Sequence, residues 1–210
     1  MDYTYNEVNQ HSLDVAPLAA MQFGQTWNRF LQQVAYPNPR FGPPLIVKLD
    51  LAGGYYQVPL SASAVLELAV ALPPDGSSEP LIGLPLSLPM GWLHSPPYFC
   101  SFTETVADLA NSVQELITTH PFDYVLEAQA DPQTFLTSFD PTAIWPHHQL
   151  LPTKPLQFVD VYLDDFIAVA QPPQHLPTLN NVLHHLNTVF CDVPASSRRP
   201  VVLQSKVAKG

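Results

Sequence analysis

The sequence is short of charge, and of positive charge above all. Only 12% of its 210 residues are Asp, Glu, Lys or Arg, about half the usual share. Eight are Lys or Arg against 18 Asp or Glu, a formal net charge of -10. A protein that grips phosphate backbones unaided needs a basic surface, so composition argues directly against strong independent binding to nucleic acid. Cysteine is scarce as well. Cys100 and Cys191 lie far apart and lack the paired spacing of a metal site. Cys100 sits in an apolar stretch and reads as a buried thiol rather than half of a bridge. Long apolar runs are also missing. No segment approaches the roughly 18 uninterrupted apolar residues that span a bilayer. The polar, acidic start MDYTYNEVNQ is not a secretory signal. An intracellular, soluble location (cytoplasm and/or nucleus) with no membrane partner is the expectation.

What is present is apolar content, at 46%, and 24 prolines. The first supplies a sizeable core for one domain of moderate size, with room for a small attached lobe. The second clusters in connecting segments and predicts ordered pieces joined by stiff, extended loops.

One stretch organises the rest. Phe158 to Gln171 reads FVDVYLDDFIAVAQ. Its first run, Phe158 to Leu163, is β-branched and aromatic, which favours a strand, and Phe166 to Ala170 is a second apolar run. Two strands separated by two residues predict a tight hairpin with Asp164 and Asp165 at its tip. Asp tolerates the left-handed backbone such a turn needs. Adjacent carboxylates are costly to crowd unless a positive charge sits on them, and a divalent metal is the obvious candidate. A plain polar turn between two core strands accounts for the same residues.

In chain order, Leu18, Met21, Trp27, Phe30, Leu31 and Val34 recur at helical spacing and predict a helix within Pro17 to Ala35, interrupted at Gly24. Leu45 to Leu51 (LIVKLDL) predicts a strand with Ile46, Lys48 and Asp50 on one face and Val47, Leu49 and Leu51 on the other. Asp50 can face a cleft or cap the next turn of the chain. Gly53-Gly54 break the strand, and Tyr55 to Leu60 is extended or a turn. Ala62 to Leu72 is ambiguous, and flanking prolines favour a strand. With Leu81 to Leu88 it predicts an antiparallel pair. Phe102, Val106, Leu109, Val113, Leu116 and Ile117 mark an amphipathic helix of about 20 residues, started by Ser95-Pro96-Pro97. Pro121 to Pro155 reads as irregular, with His147-His148 beside Trp145 as loop residues. Leu176 to Phe190 predicts a second helix, with His184 and His185 on or beside its polar side. The tail from Cys191 reads as loop and carries Arg198, Arg199, Lys206 and Lys209.

Three segments in order, KLDLAGGYYQVPL, LPMGWLHSPPYF and VYLDDFIAVA, resemble the first three motifs of reverse transcriptases, the RNA-directed DNA polymerases of retrotransposons and retroviruses. The resemblance covers roughly residues 20 to 170. An apolar pair around Asp-Asp is weak alone. An LPxGW…SPxxF segment, a helix and then YLDD is far more specific. It implies an α+β polymerase palm, an antiparallel sheet with helices packed on one face. Residues 1–44 would be partial fingers, 45–192 the palm and 193–210 a tail toward a missing thumb.

The resemblance also implies roles. Asp50, Asp164 and Asp165 correspond to the catalytic and metal-binding aspartates, holding two Mg²⁺ ions (Mn²⁺ able to substitute) about 3.5–4 Å apart. One ion would activate the primer 3′-hydroxyl and the other neutralise the triphosphate and leaving pyrophosphate. Tyr55 corresponds to the aromatic beneath the sugar. With Met90 and Gly91 it would line the nucleotide. Trp92, Pro96 and Tyr162 would lie near the template-primer. Implied partners are an RNA or DNA template-primer, deoxynucleoside triphosphates and other domains of a polyprotein (thumb, RNase H, integrase). The chain departs from the pattern in two ways. Met90 stands where retroviral relatives often carry Gln, and residues 1–44 hold only Arg29 and Arg40 as candidate triphosphate-gripping cations. An alternative function is that of a truncated, inactive retroelement remnant, at most an interaction or structural protein.

Overall fold

The computed structural model describes residues 3, 8–11, 16–35, 37–51, 53–72, 76, 81–112, 152–190 and 203–205. In chain order their elements are α1 (Val8–His11), α2 (Thr26–Val34), β1 (Leu45–Leu51), α3 (Ala62–Glu67), β2 (Val70–Ala71), β3 (Ile82–Gly83), α4 (Ser95–Ser112), β4 (Gln157–Tyr162), β5 (Asp165–Ala170), α5 (His175–Phe190) and β6 (Leu203–Ser205). Helices combine with antiparallel strands, so the architecture is mixed α+β. Two compact units divide the chain, Met1–Met21 with Gly53–Ser101 and Gln22–Ala52 with Phe102–Gly210.

The second unit holds a four-stranded sheet in the order β4-β5-β1-β6, with every neighbouring pair antiparallel. Period-two alternation fixes its register. Leu49 faces Phe166, which faces Val161, and Val47 faces Ala168, which faces Val159. Leu49, Leu51, Phe166, Val159 and Val161 are all buried on this face. A one-residue slip would turn that row to the opposite face, so burial pins the register. α5 packs on β4 and β5, and its Leu179, Val182, Leu183 and Leu186 are buried at helical spacing. Each such side chain contributes about 1.5–3 kcal/mol. This cluster therefore outweighs exposed ion pairs, worth about 0–1 kcal/mol each. Asn181 Nδ2 donates to the Ala110 carbonyl at 2.6 Å and ties α5 to α4.

β4 is an edge strand, and its outward groups are covered by side chains. Asn111 Nδ2 donates to the Val159 carbonyl at 2.7 Å, and Asn111 Oδ1 accepts from the Val159 N–H at 2.9 Å. Thr26 Oγ1 donates to the Val161 carbonyl at 2.7 Å. An edge closed in this way offers no template for another strand.

In the first unit Tyr3, Val58, Leu68, Leu88, Phe99 and Cys100 are buried. Cys100 is buried, as its apolar setting predicts. Leu66, Ile82 and Leu86 are exposed.

Several expectations need correction. Ala62 to Leu72 is not one strand. Ser61 caps a helix, its Oγ accepting from the Ala64 N–H at 3.3 Å, and only Val70–Ala71 is extended. Its partner is shorter than expected, Ile82–Gly83 rather than Leu81 to Leu88. Between Pro17 and Ala35 two 3₁₀ turns, Leu18–Ala20 and Phe23–Gln25, precede α2. The tail is not all loop, because Leu203–Ser205 pairs with Leu49 to Leu51. His185 is buried rather than solvated, and neither ring nitrogen has a hydrogen-bond partner. Burial, and then the neighbouring His184, push its pKa down. The expected helical positions Val113, Leu116 and Ile117, most of Pro121 to Pro155 with His147, His148 and Trp145, and the basic tail residues lie outside the described residues.

Candidate active site

The site is built where β1 ends beside the β4–β5 hairpin. Asp50 is the cross-strand partner of Asp165. Directly opposed residues in an antiparallel pair share a face, with Cβ atoms about 4.5–5.5 Å apart. Two like charges so placed repel. Asp164 lies in the turn between the strands, and its carbonyl accepts from the Leu51 N–H at 3.1 Å. That bond fastens the hairpin tip to the end of β1. Asp50, Asp164 and Asp165 are thus brought together in one unit, on half-buried positions.

The turn differs by one residue from expectation. Tyr162 pairs with Asp165, so Leu163 and Asp164 form the loop and Asp165 opens β5. Leu163, not an aspartate, takes the left-handed backbone, with φ 58°. That conformation costs a leucine about 1–2 kcal/mol. The result is that Asp165 is placed on the strand, opposite Asp50, rather than at the tip.

Lys48 completes the cluster. It precedes Asp50 by two residues on the same face of β1, and Ile167, two residues after Asp165, is its direct partner. Lys48 and Asp165 are therefore diagonal neighbours, and Lys48 Nζ lies 2.6 Å from Asp165 Oδ2. The hydrogen bond that Lys48 donates to Asp165, opposed by slight burial and assisted by the charges of Asp165, Asp50 and Asp164, raises the Lys48 pKa. Burial pushes the Asp164 carboxyl up. A backbone hydrogen bond opposes this, Asp165 and Asp50 reinforce it, and Lys48 draws it back.

The donors suit a hard divalent cation by chemical type, since all three are carboxylates. Their arrangement is not yet a cage. Among the described residues no three of His, Cys, Asp and Glu are grouped to hold a metal, and Asp165 is engaged by Lys48.

Tyr162 is exposed on the Asp165 face and meets Phe23 edge-on, with ring centroids 5.4 Å apart. The other anticipated contact residues belong to the first unit. Tyr55 follows Gly53 and Gly54, both at positive φ, in a 3₁₀ turn. It meets Phe99 edge-on at 4.8 Å. Met90 is exposed. Gly91, at φ 91°, makes a bend that a side chain would strain. Asn9 clamps this loop, donating to the Gly91 carbonyl at 3.2 Å and accepting from the Leu93 N–H at 2.9 Å. Trp92 stacks on Tyr98 at 6.1 Å. Pro96 lies in the first turn of α4, just after Ser95, whose Oγ donates to the Pro89 carbonyl at 2.7 Å.

Sequence reasoning missed a second charged cluster. On the same sheet face, Asp160 is buried and receives Arg29 Nε at 2.7 Å on Oδ2, while Arg29 Nη2 donates to Oδ1. Glu104 Oε2 lies 3.7 Å from Arg29 Nη2. Sequence distance hides this pairing. Lys48, by contrast, carried a readable signal, because strand alternation already placed it beside Asp50.

No protein-family model matches the chain, and the curated proteins contain no match to it. Among the described residues no helix is long and apolar enough to cross a membrane.

Proposed function

We propose that the chain is the palm region of a retrotransposon reverse transcriptase, an RNA-directed DNA polymerase that extends a primer 3′ end by nucleotidyl transfer. The observation that carries the reading is the convergence of Asp50, Asp164 and Asp165 at one strand end. Residues from two separated motifs of the resemblance, KLD and YLDD, stand at neighbouring register positions of one sheet, which supports the reading. When bound, two Mg²⁺ or Mn²⁺ ions would supply Lewis-acid activation of the primer hydroxyl and neutralisation of the leaving pyrophosphate. The residues that would hold them are these three aspartates. The chain's own part is positional. The β1–β5 ladder holds Asp50 and Asp165 on paired strands, and the bond from the Leu51 N–H to the Asp164 carbonyl ties the turn to β1. Tyr162 is assigned to the primer terminus. Tyr55, Met90 and Gly91 are assigned to the incoming deoxynucleotide, and Trp92 and Pro96 to the template-primer.

The test is metal-dependent deoxynucleotide incorporation on poly(rA)/oligo(dT), beside Asp164→Asn and Asp50→Asn. Each variant should lose at least about a hundredfold in rate, since a removed metal ligand acts on the transition state. Incorporation that survives both changes together refutes the reading. A second reading, an inactive retroelement remnant with at most an interaction role, is favoured by one observation, the net charge of -10 with eight basic residues. It predicts no incorporation by the wild-type chain.

A further inference from the structure

We propose that Glu104 is a proton-operated latch for α2. As the neutral acid it leaves Arg29 to clamp the helix onto Asp160 of β4. As the carboxylate it puts an uncompensated charge into that seam, and α2 comes away from the sheet to let water reach it. The latch stands whether or not the chain is a polymerase.

The seam brings together two carboxylates, Glu104 of α4 and Asp160 of β4, and one cation, Arg29 of α2. Arg29 gives Nε and Nη2 to the two oxygens of Asp160, a bidentate pair that satisfies a buried charge. Glu104 is left with a 3.7 Å approach to Nη2 at one oxygen and no hydrogen-bond partner at the other, on a side chain 14% exposed. A carboxyl so placed favours its neutral form. Among the described residues, the charges acting on it are Arg29, which opposes that preference, and Asp160 and Asp108, which reinforce it. Burial outweighs them and pushes its pKa up to about 7. α2 is the element able to yield. Only Thr26 and Phe30 of its nine residues are buried. Its other polar tie, from Thr26 Oγ1 to the Val161 carbonyl at 2.7 Å, carries no charge. Segments with few buried side chains open locally at lower cost than the core. The turn before α2 carries Phe23, which meets Tyr162 edge-on at 5.4 Å, so opening reaches the exposed aromatic opposite Asp165.

The experiment uses the full chain and follows amide hydrogen exchange by NMR, corrected for intrinsic rates, in wild type and Glu104→Gln. The closed seam holds the proton more tightly than the open one, so opening rises with pH from about 4.5 and levels off above about 7. In wild type the α2 opening constant should rise at least about tenfold between pH 5 and pH 8. It should ignore low urea, as local opening does, while α5 amides respond to urea as global unfolding does. Glu104→Gln should keep α2 protected throughout. The carbon-13 shift of the wild-type Glu104 carboxyl should titrate near pH 7. A carboxyl midpoint below about pH 5, α2 protection that ignores pH, or an equal rise in Glu104→Gln each overturns the latch. So does α2 exchange as urea-sensitive as that of α5, because the helix would then leave only with the whole fold. If Glu104→Gln does not fold, the wild-type carboxyl titration and urea dependence decide.

Discussion

Among the described residues, Glu104 has surroundings that oppose its charge. It lies on α4 with a side chain 14% exposed, and its Oε1 has no hydrogen-bond partner. Arg29 approaches its other oxygen, but that guanidinium is already held by Asp160 through two bonds. Burial therefore dominates. It raises the Glu104 pKa from 4.5 to about 7, with Arg29 opposing and Asp160 and Asp108 reinforcing. The folded value lies above the unfolded one, so the folded protein holds this proton more tightly. The stabilising contribution is complete below about pH 4.5 and is lost as pH rises through about 7. Glu104→Gln should make the protein more stable at pH 8 by about 1–2 kcal/mol and flatten its stability between pH 5 and 8. Urea melts at the two pH values check this, and equal slopes in wild type and variant would remove Glu104 as the cause. None of it was legible in the sequence. Arg29 and Asp160 are 131 positions apart, and local pattern carries no information about such pairs. The three aspartates were legible because their motifs are local. That Asp165 would open β5 opposite Asp50, rather than share the turn with Asp164, was not, since moving a two-residue turn by one position leaves the alternation of the flanking apolar runs unchanged.

At the scale of elements, legibility followed period and length. β1, the β4–β5 hairpin and α5 were readable because each buries a periodic row, such as Leu179, Val182, Leu183 and Leu186. Ala62 to Leu72 misled because a short apolar run suits either period, and the deciding signal was the Ser61 cap. β6 was not readable at all, since three residues gain their strand from pairing with β1 rather than from their own pattern. What closes the sheet's other edge was equally silent in sequence. Asn111 matches both polar groups of Val159 with one amide, as a neighbouring strand would. Asn111→Ala leaves that donor and acceptor unmet and should cost about 2–3 kcal/mol, while Asn111→Asp keeps the acceptor alone and should cost less than the alanine change. Chemical denaturation orders the three proteins. A loss in Asn111→Ala below about 0.5 kcal/mol, the range of an ordinary surface change, would mean that water replaces the amide without penalty.

For the whole molecule the governing quantity is net charge, and on the proposed polymerase reading it bears on how a template-primer would be held. Two of the eight basic residues, Lys48 and Arg29, are committed to Asp165 and Asp160. The remaining six face a background of 18 acidic side chains. Binding a duplex by phosphate neutralisation releases about one counterion per contact, so affinity falls with salt in proportion to the contacts made. The acidic excess works against each contact. We expect an RNA–DNA duplex to bind this chain with a log–log salt slope shallower than about -3, and more weakly than about 10 µM at 150 mM salt. Fluorescence anisotropy over a salt series measures both quantities. Incorporation on poly(rA)/oligo(dT) together with such weak binding would mean that the aspartates can do their chemistry on a duplex the chain itself barely retains. The grip would then have to come from partner domains. A slope near -6 with tight binding would instead mean that the few basic side chains are focused on one track, and the acidic total would be irrelevant to the interface. The measurement separates retention from chemistry, two properties that the carboxylate cluster alone cannot link.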